Sequence, residues 1–107
     1  MPEFTRISLR EALTNVETLD GDHSLHLPQN IALWTADCLA IVEDPDAFEA
    51  YDAWDNPCEM AAIGYRYVLQ CDDLKSISEN LRETHPAPTY EQLFEAFIFY
   101  FENDAFI

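Results

Sequence analysis

The spacing of the hydrophobic residues changes along the chain, and this change restricts the possible folds more than any other feature. Near the N terminus, Ser8-Leu-Arg-Glu11 fits a capping box, and apolar residues follow at helical spacing. Near the C terminus, Thr89-Tyr-Glu-Gln92 fits a second capping box that precedes another apolar stripe. We therefore predict helices over residues 9–19 and 90–104.

The middle of the chain has the short apolar runs that are typical of strands. Residues 31–34 and 38–42 are rich in strand formers and predict two strands, whereas residues 23–28 look irregular. Residues 65–70 alternate and predict a third strand, with Tyr65, Tyr67 and Leu69 on one face.

Two further helices complete the prediction. Pro57 suits the first turn of a short helix over residues 57–63, which Gly64 would end. Asp72 is the expected N-cap of a helix over residues 73–84. The predicted order is α-β-β-α-β-α-α. This order indicates an α+β fold, in which about three antiparallel strands form a small sheet with helices packed on one face.

Length and composition favour one folded domain over residues 1–107. The apolar fraction is 49%, and seven Phe, five Tyr and two Trp are far more aromatic residues than a disordered acidic tail would carry. The net charge is −16. This charge opposes binding to nucleic acid and favours association with a basic protein partner, although it could also serve solubility alone.

The charge is unevenly distributed. Between Arg10 and Arg66 there are twelve acidic residues and no Lys or Arg. Residues 43–59, which we call the acidic segment, hold seven of these acids among aromatic residues. Rigid aromatic anchors within a field of like charge are typical of an interface that steers and then holds a partner. The same spacing also suits a core-facing stripe, so Phe48, Tyr51 and Trp54 could instead be buried.

A second candidate contact is Phe99, which helical projection places opposite the face formed by Phe97 and Phe101. Packing beneath a loop or the sheet is the alternative for this side chain. The complete set of predicted partner-binding residues is Glu43, Asp44, Asp46, Glu49, Tyr51, Asp52, Trp54, Asp55 and Phe99.

No motif for catalysis or for a cofactor is present in the sequence. Two glycines cannot build a phosphate-binding or dinucleotide-binding loop, and Cys38, Cys58 and Cys71 form no Cys-x-x-Cys pair. His23 and His26 could share a metal ion only on a helix, and the neighbouring Gly and Pro favour a surface loop. We expect no enzyme activity, no cofactor and no metal.

Neither a secretory signal nor a run of 18 apolar residues is visible, so we expect a cytoplasmic protein that does not associate with a membrane. The oligomeric state is not predicted by the sequence.

Two resemblances add to these expectations. In size, acidity and aromatic content the chain resembles the immunity proteins of bacterial toxin systems, which are small cytoplasmic proteins that bind and neutralise a cognate toxin, often a basic nuclease. Residues 38–107 resemble an uncharacterised bacterial domain type, through residues 39–46, residues 64–69 and the ending Tyr100-Phe-Glu-Asn-Asp-Ala-Phe-Ile107. That second resemblance implies no activity.

The sequence thus supports two hypotheses. The first is an inhibitory binding protein, an immunity protein or antitoxin whose acidic surface occupies a basic groove of a toxin. The second is a regulatory or assembly module that self-associates or docks through its aromatic C-terminal helix.

Overall fold

A four-stranded antiparallel sheet forms the centre of the computed structural model, which describes residues 5–48, 50–51 and 56–103. The strands are β1 (Thr5–Ser8), β2 (Ser24–Pro28), β3 (Leu39–Glu43) and β4 (Tyr65–Gln70), and they lie in the order β1-β3-β2-β4. The helices are α1 (Leu9–Thr14), α2 (Cys58–Ala62), α3 (Cys71–Arg82) and α4 (Tyr90–Asn103). The predicted α+β class with an antiparallel sheet is confirmed.

One face of the sheet is covered by α1, α3 and α4. Leu25, Leu27, Ala40, Val42 and Val68 point from the strands into the main hydrophobic core on this side. The helices contribute further large side chains, including Leu9, Leu74, Ile77, Leu93 and Phe97, and Val16 and Trp34 join the core from the connecting segments. This core holds the sheet rigid, so that the opposite face can present side chains in fixed positions.

The capping box of α4 forms in full, and that of α1 forms through the Ser8 side chain. Ser8 Oγ accepts a hydrogen bond from the backbone N–H of Glu11 at 3.1 Å. Thr89 Oγ1 accepts one from the N–H of Gln92 at 3.2 Å, and Gln92 Oε1 accepts one from the N–H of Thr89 at 2.9 Å. These bonds satisfy backbone donors that have no partner within the first helical turn.

The start of α3 differs from the prediction. The helix begins at Cys71, with Gln70 at the N-cap position and Asp72 already inside the first turn. Asp72 therefore does not cap the helix with its side chain. Its N–H instead donates to the carbonyl of Gly21 at 3.1 Å, which ties the helix start to the loop before β2.

The structure differs from the prediction at the first predicted strand and at the N terminus. Residues 31–33 form a short 3-10 turn, because Asn30 Oδ1 accepts a hydrogen bond from the N–H of Ala32 and competes with strand pairing. Ser24–Pro28 forms a strand instead, although an irregular conformation was predicted for this segment. The N-terminal strand β1 was not predicted at all, and it adds a fourth strand at the edge beside β3.

A bulge in β4 changes the faces of its residues. Leu25 pairs with Leu69 and His26 pairs with Tyr67, so Val68 is the extra residue on β4. Tyr67 consequently lies on the face opposite the long helices, whereas Leu69 packs against the main core. The prediction that these two residues share one face is wrong for this reason.

The second face of the sheet carries a smaller cluster. Ile41, Phe48 and Met60 are buried there, with Tyr65 packed against them. Met60 comes from α2, so this short helix lies on the face opposite the other three. Gly64 ends α2 with a φ of +78°, a left-handed conformation that glycine adopts without strain.

Candidate functional site

The described parts of the acidic segment, residues 43–48, 50–51 and 56–59, are held at the second face of the sheet by backbone and side-chain contacts. The N–H of Cys58 donates to the carbonyl of Ala50 at 3.0 Å, and an isolated bridge joins Tyr51 to Pro57. Asn56 Oδ1 accepts a hydrogen bond from the N–H of Tyr67 at 2.7 Å, so its side chain pairs with the free edge of β4. These contacts place Tyr51 at a fixed position above the strands.

His26 lies at the centre of this face and is fully buried. Its Nδ1 is 3.2 Å from the carbonyl oxygen of Ile41. A carbonyl can only accept, so Nδ1 carries the proton and Nε2 of the neutral ring is an acceptor. Among the described residues, Nε2 has no hydrogen-bond partner. The aromatic rings of Phe48 and Tyr67 lie edge-on to the imidazole, with centroid distances of 5.2 and 6.1 Å.

A pocket of about 440 Å³ opens between the strands and the acidic segment. Its strand side is formed by four residues, namely Ser24, His26, Tyr67 and Gln70. Its other side is formed by four residues of the acidic segment, namely Pro45, Phe48, Tyr51 and Pro57. Tyr51 Oη donates to the carbonyl of Pro45 at 2.8 Å, which holds this wall in place. The size lies within the range of pockets that bind small ligands, and its walls are largely aromatic.

The charges that act on the pocket residues are negative. Burial raises the pKa of Tyr51, and the nearby carboxylates of Asp46, Glu59 and Asp44 raise it further. Burial likewise raises the pKa of Tyr67, with Asp73 acting in the same direction.

Three of the five Lys and Arg residues are engaged away from the pocket. Arg82 forms an ion pair with Glu17 at 3.0 Å, and the guanidinium groups of Arg10 and Arg66 lie over the rings of Tyr90 and Phe101. Tyr90 and Phe101 both pack against the main core, on the far side of the sheet from the pocket. The acidic character of the pocket rim is therefore not offset by these three cations.

The structure describes some of the predicted partner-binding residues. Tyr51 is 46% exposed, Asp44 and Asp46 are exposed, and Glu43 is half-buried at the end of β3. Phe48 is a core residue, so the core-facing alternative holds for that side chain. Four predicted residues lie outside the described part of the chain, namely Glu49, Asp52, Trp54 and Asp55.

Phe99 is 39% exposed on α4. Phe97, two residues away on the same helix, is fully buried against Trp34 and Phe94. The structure does not bring Phe99 to the acidic segment, because α4 packs on the other side of the sheet. The predicted contacts thus divide into two separate surfaces.

His26 was not among the predicted site residues, because the neighbouring Gly and Pro favour a surface loop for both His23 and His26. His23 does lie in the loop before β2, 3.8 Å from Asp20, but His26 lies inside the strand. The signal was the alternation Ser24-Leu25-His26-Leu27, which places His26 opposite the two leucines. Within the part of the chain that is described, no three His, Cys, Asp or Glu side chains are grouped as metal ligands would be.

The buried histidine predicts a pH dependence of stability. Burial lowers the pKa of His26 below its ordinary value of 6.5, against weaker opposing effects of the Ile41 hydrogen bond and Glu43. The unfolded chain therefore takes up a proton at a pH where the folded chain does not. We expect the His26 contribution to be complete above pH 6.5 and to be lost as the pH falls through the folded pKa, with a slope of at most about 1.4 kcal/mol per pH unit.

Urea unfolding at pH 7.5 and 5.5 checks this prediction. The variant His26→Phe is the control, because it retains an aromatic ring and removes the titration. The loss of unfolding free energy between the two pH values should be smaller in the variant, whereas an equal loss in both proteins would contradict the assignment.

Comparison with known proteins identifies a family. Within the described residues, no helix combines the length and hydrophobicity that crossing a bilayer requires. No curated protein and no solved structure matches the chain. A family model described as "Domain of unknown function (DUF7716)" matches residues 6–107, which extends further towards the N terminus than the resemblance over residues 38–107. Because the match covers nearly the whole chain, the protein belongs to the DUF7716 family.

Proposed function

We propose that this chain is a cytoplasmic, non-catalytic binding protein that neutralises a basic protein partner, as an immunity protein or antitoxin neutralises its toxin. The observation that carries the proposal is the position of Tyr51, which is nearly half exposed beside the carboxylates of Asp44, Asp46 and Glu59. An aromatic side chain on an acidic surface can be desolvated by a partner, while the surrounding charges steer that partner into place.

The distribution of charge supports a basic partner in particular. A net charge of −16 exceeds the magnitude of about 2–8 that solubility commonly requires in a small domain. Potentials of this kind raise association rates with oppositely charged proteins by about 10- to 1000-fold. A nuclease toxin has the basic surface that such a charge would complement, because its substrate is a polyanion.

Capture from the native host tests the proposal. Tagged wild-type chain should retain at low salt a basic protein that elutes as the salt concentration rises, and mass spectrometry identifies it. Expression of that protein alone should arrest growth, and co-expression with the chain should restore it. Recovery of only acidic proteins, or a captured protein whose toxicity the chain does not relieve, would count against a neutralising function.

A second candidate function follows from Phe99, which leaves an aromatic ring exposed on α4. In this alternative α4 mediates self-association or docking in a regulatory assembly. Light scattering after size-exclusion chromatography should then show a dimer that Phe99→Ala dissociates. A monomer at high protein concentration would rule out self-association.

A further inference from the structure

We propose that the pocket beside His26 receives the guanidinium group of an arginine side chain that the partner inserts between the strands and the acidic segment. The inference rests on the proposed function and names the group by which the basic partner is held. Hydrogen bonding, ring geometry and charge at the pocket each support it.

The first argument is the unmatched acceptor at the strand side of the pocket. His26 Nδ1 is committed to the carbonyl of Ile41, so Nε2 offers a lone pair at the far end of the ring. This atom is buried, and no described residue donates to it. A buried acceptor without a donor is destabilising, so a ligand that supplies an N–H removes that cost.

The second argument is the aromatic lining. Phe48, Tyr51 and Tyr67 line the pocket, and the rings of Phe48 and Tyr51 are 6.5 Å apart and nearly perpendicular. A guanidinium group is planar, is weakly hydrated and stacks on aromatic faces, while its five N–H groups remain in the plane to donate. A lysine ammonium is a compact, strongly hydrated charge and fits such walls less well.

The third argument is the sign of the surrounding charge. The carboxylates that act on the pocket residues come from Glu43, Asp44, Asp46, Glu59 and Asp73. An anionic ligand would be repelled by these nearby carboxylates, and a neutral donor would gain little from them. A cation that also carries N–H donors is attracted by the carboxylates and can donate to His26.

Access to Nε2 requires a small movement, because the atom lies beneath the surface of the pocket. Tyr67 is 36% exposed, so rotation of its ring is not opposed by a packed core, whereas rotation of Tyr51 would first break its hydrogen bond to the carbonyl of Pro45. This feature predicts that the tyrosine resonances change together with those of His26 when the pocket is filled.

The probe for the experiment is N-acetyl-arginine amide, with N-acetyl-citrulline amide as its neutral control of nearly the same shape. NMR titration of the intact chain should show saturable shifts at the His26 imidazole and at Tyr51 and Tyr67. The arginine probe should bind about tenfold more tightly than the citrulline probe, since only the former gains from the carboxylates and from cation–π contact. Equal affinity for the two probes, or no shift at His26, would overturn the inference.

Two variants locate the binding. Gln70→Trp places a large ring at the pocket residue Gln70 without changing the net charge, and it should abolish the His26 shifts. Asp44→Asn with Asp46→Asn should weaken binding of the arginine probe several-fold. The matched pair Glu91→Gln with Glu95→Gln, which removes two exposed charges from α4, should leave it unchanged. Similar weakening by both pairs would indicate nonspecific attraction and overturn the assignment to the pocket.

Partner capture separates this inference from the proposed function. If the partner binds wild-type chain and folded Gln70→Trp equally well, the pocket inference fails and the proposed function stands. If the arginine probe fills the pocket but no basic partner is captured, the guanidinium site stands and the proposed function fails.

Discussion

Replacing Phe97 by alanine should lower the free energy of unfolding by about 3–5 kcal/mol. Phe97 is fully buried on α4, and its ring lies 5.8 Å from that of Trp34 and 6.2 Å from that of Phe94. The substitution removes apolar contacts and leaves a cavity where α4 meets the sheet. A domain of this size has only about 5–15 kcal/mol of stability in total, so the variant should unfold at much lower denaturant concentration.

Phe99→Ala is the matched control, because it makes the same chemical change two residues along the same helix. Its exposed ring loses little on truncation, so the free energy of unfolding should change by less than about 0.5 kcal/mol. Urea unfolding followed by circular dichroism measures both variants. Equal destabilisation by the two substitutions would show that α4 does not bury the Phe97 face as described.

The second large effect is expected on the association rate with the captured partner. Converting six acidic residues of the acidic segment to their amides should slow association by about tenfold or more, because steering depends on the local potential. The six residues are Glu43, Asp44, Asp46, Glu49, Asp52 and Asp55. Dissociation should change much less, since contacts formed after docking hold the complex.

A variant with the same net charge provides the control. Six exposed glutamates outside the acidic segment are converted to glutamine, namely Glu11, Glu79, Glu83, Glu91, Glu95 and Glu102. These residues lie on or next to the helices on the other side of the sheet, so the association rate should fall less than in the first variant. If both variants slow association equally, net charge matters and the acidic segment has no special part in binding.

The starts of α1 and α4 were predicted well from the sequence because their signals are local, although the first helix, predicted over residues 9–19, ends at Thr14 and is followed by a 3-10 turn over Val16–Thr18. In α4, the capping pair Thr89 and Gln92 marks the start, and the spacing of Leu93 and Phe97 gives the buried face. Both signals act within one or two turns, so they do not depend on the rest of the chain.

The positions of the strands were harder to predict from the sequence, because the residues that pair in a sheet are distant along the chain. Nothing in Ser24–Pro28 alone shows that the segment lies between β3 and β4. The alternation of residues 24–27 is typical of a strand with one face in water, yet both faces of β2 are buried. The apolar residues 31–34 have strand-like composition, yet Asn30 caps a turn there and Trp34 Nε1 donates to the carbonyl of Pro28 at 2.7 Å.

The candidate site was only partly predictable for the same reason. Acidity could be inferred from the acidic segment alone, whereas the sequence left open whether Tyr51 is exposed or buried. The pocket needs His26 from β2 and Tyr67 from β4 on one face, and the bulge at Val68 decides which β4 side chains reach that face. A bulge of this kind leaves no clear mark in the alternation of residues 65–70.

The most direct test of electrostatic steering is the association rate of wild-type chain with the captured partner, measured by stopped-flow mixing over a range of salt concentrations. The Debye length falls from about 10 Å at 0.1 M to about 3 Å at 1 M ionic strength. If the acidic surface steers a basic partner, the association rate should fall about tenfold or more over this range while the dissociation rate changes far less. An association rate that does not respond to salt would contradict steering, and the net charge of −16 would then serve solubility.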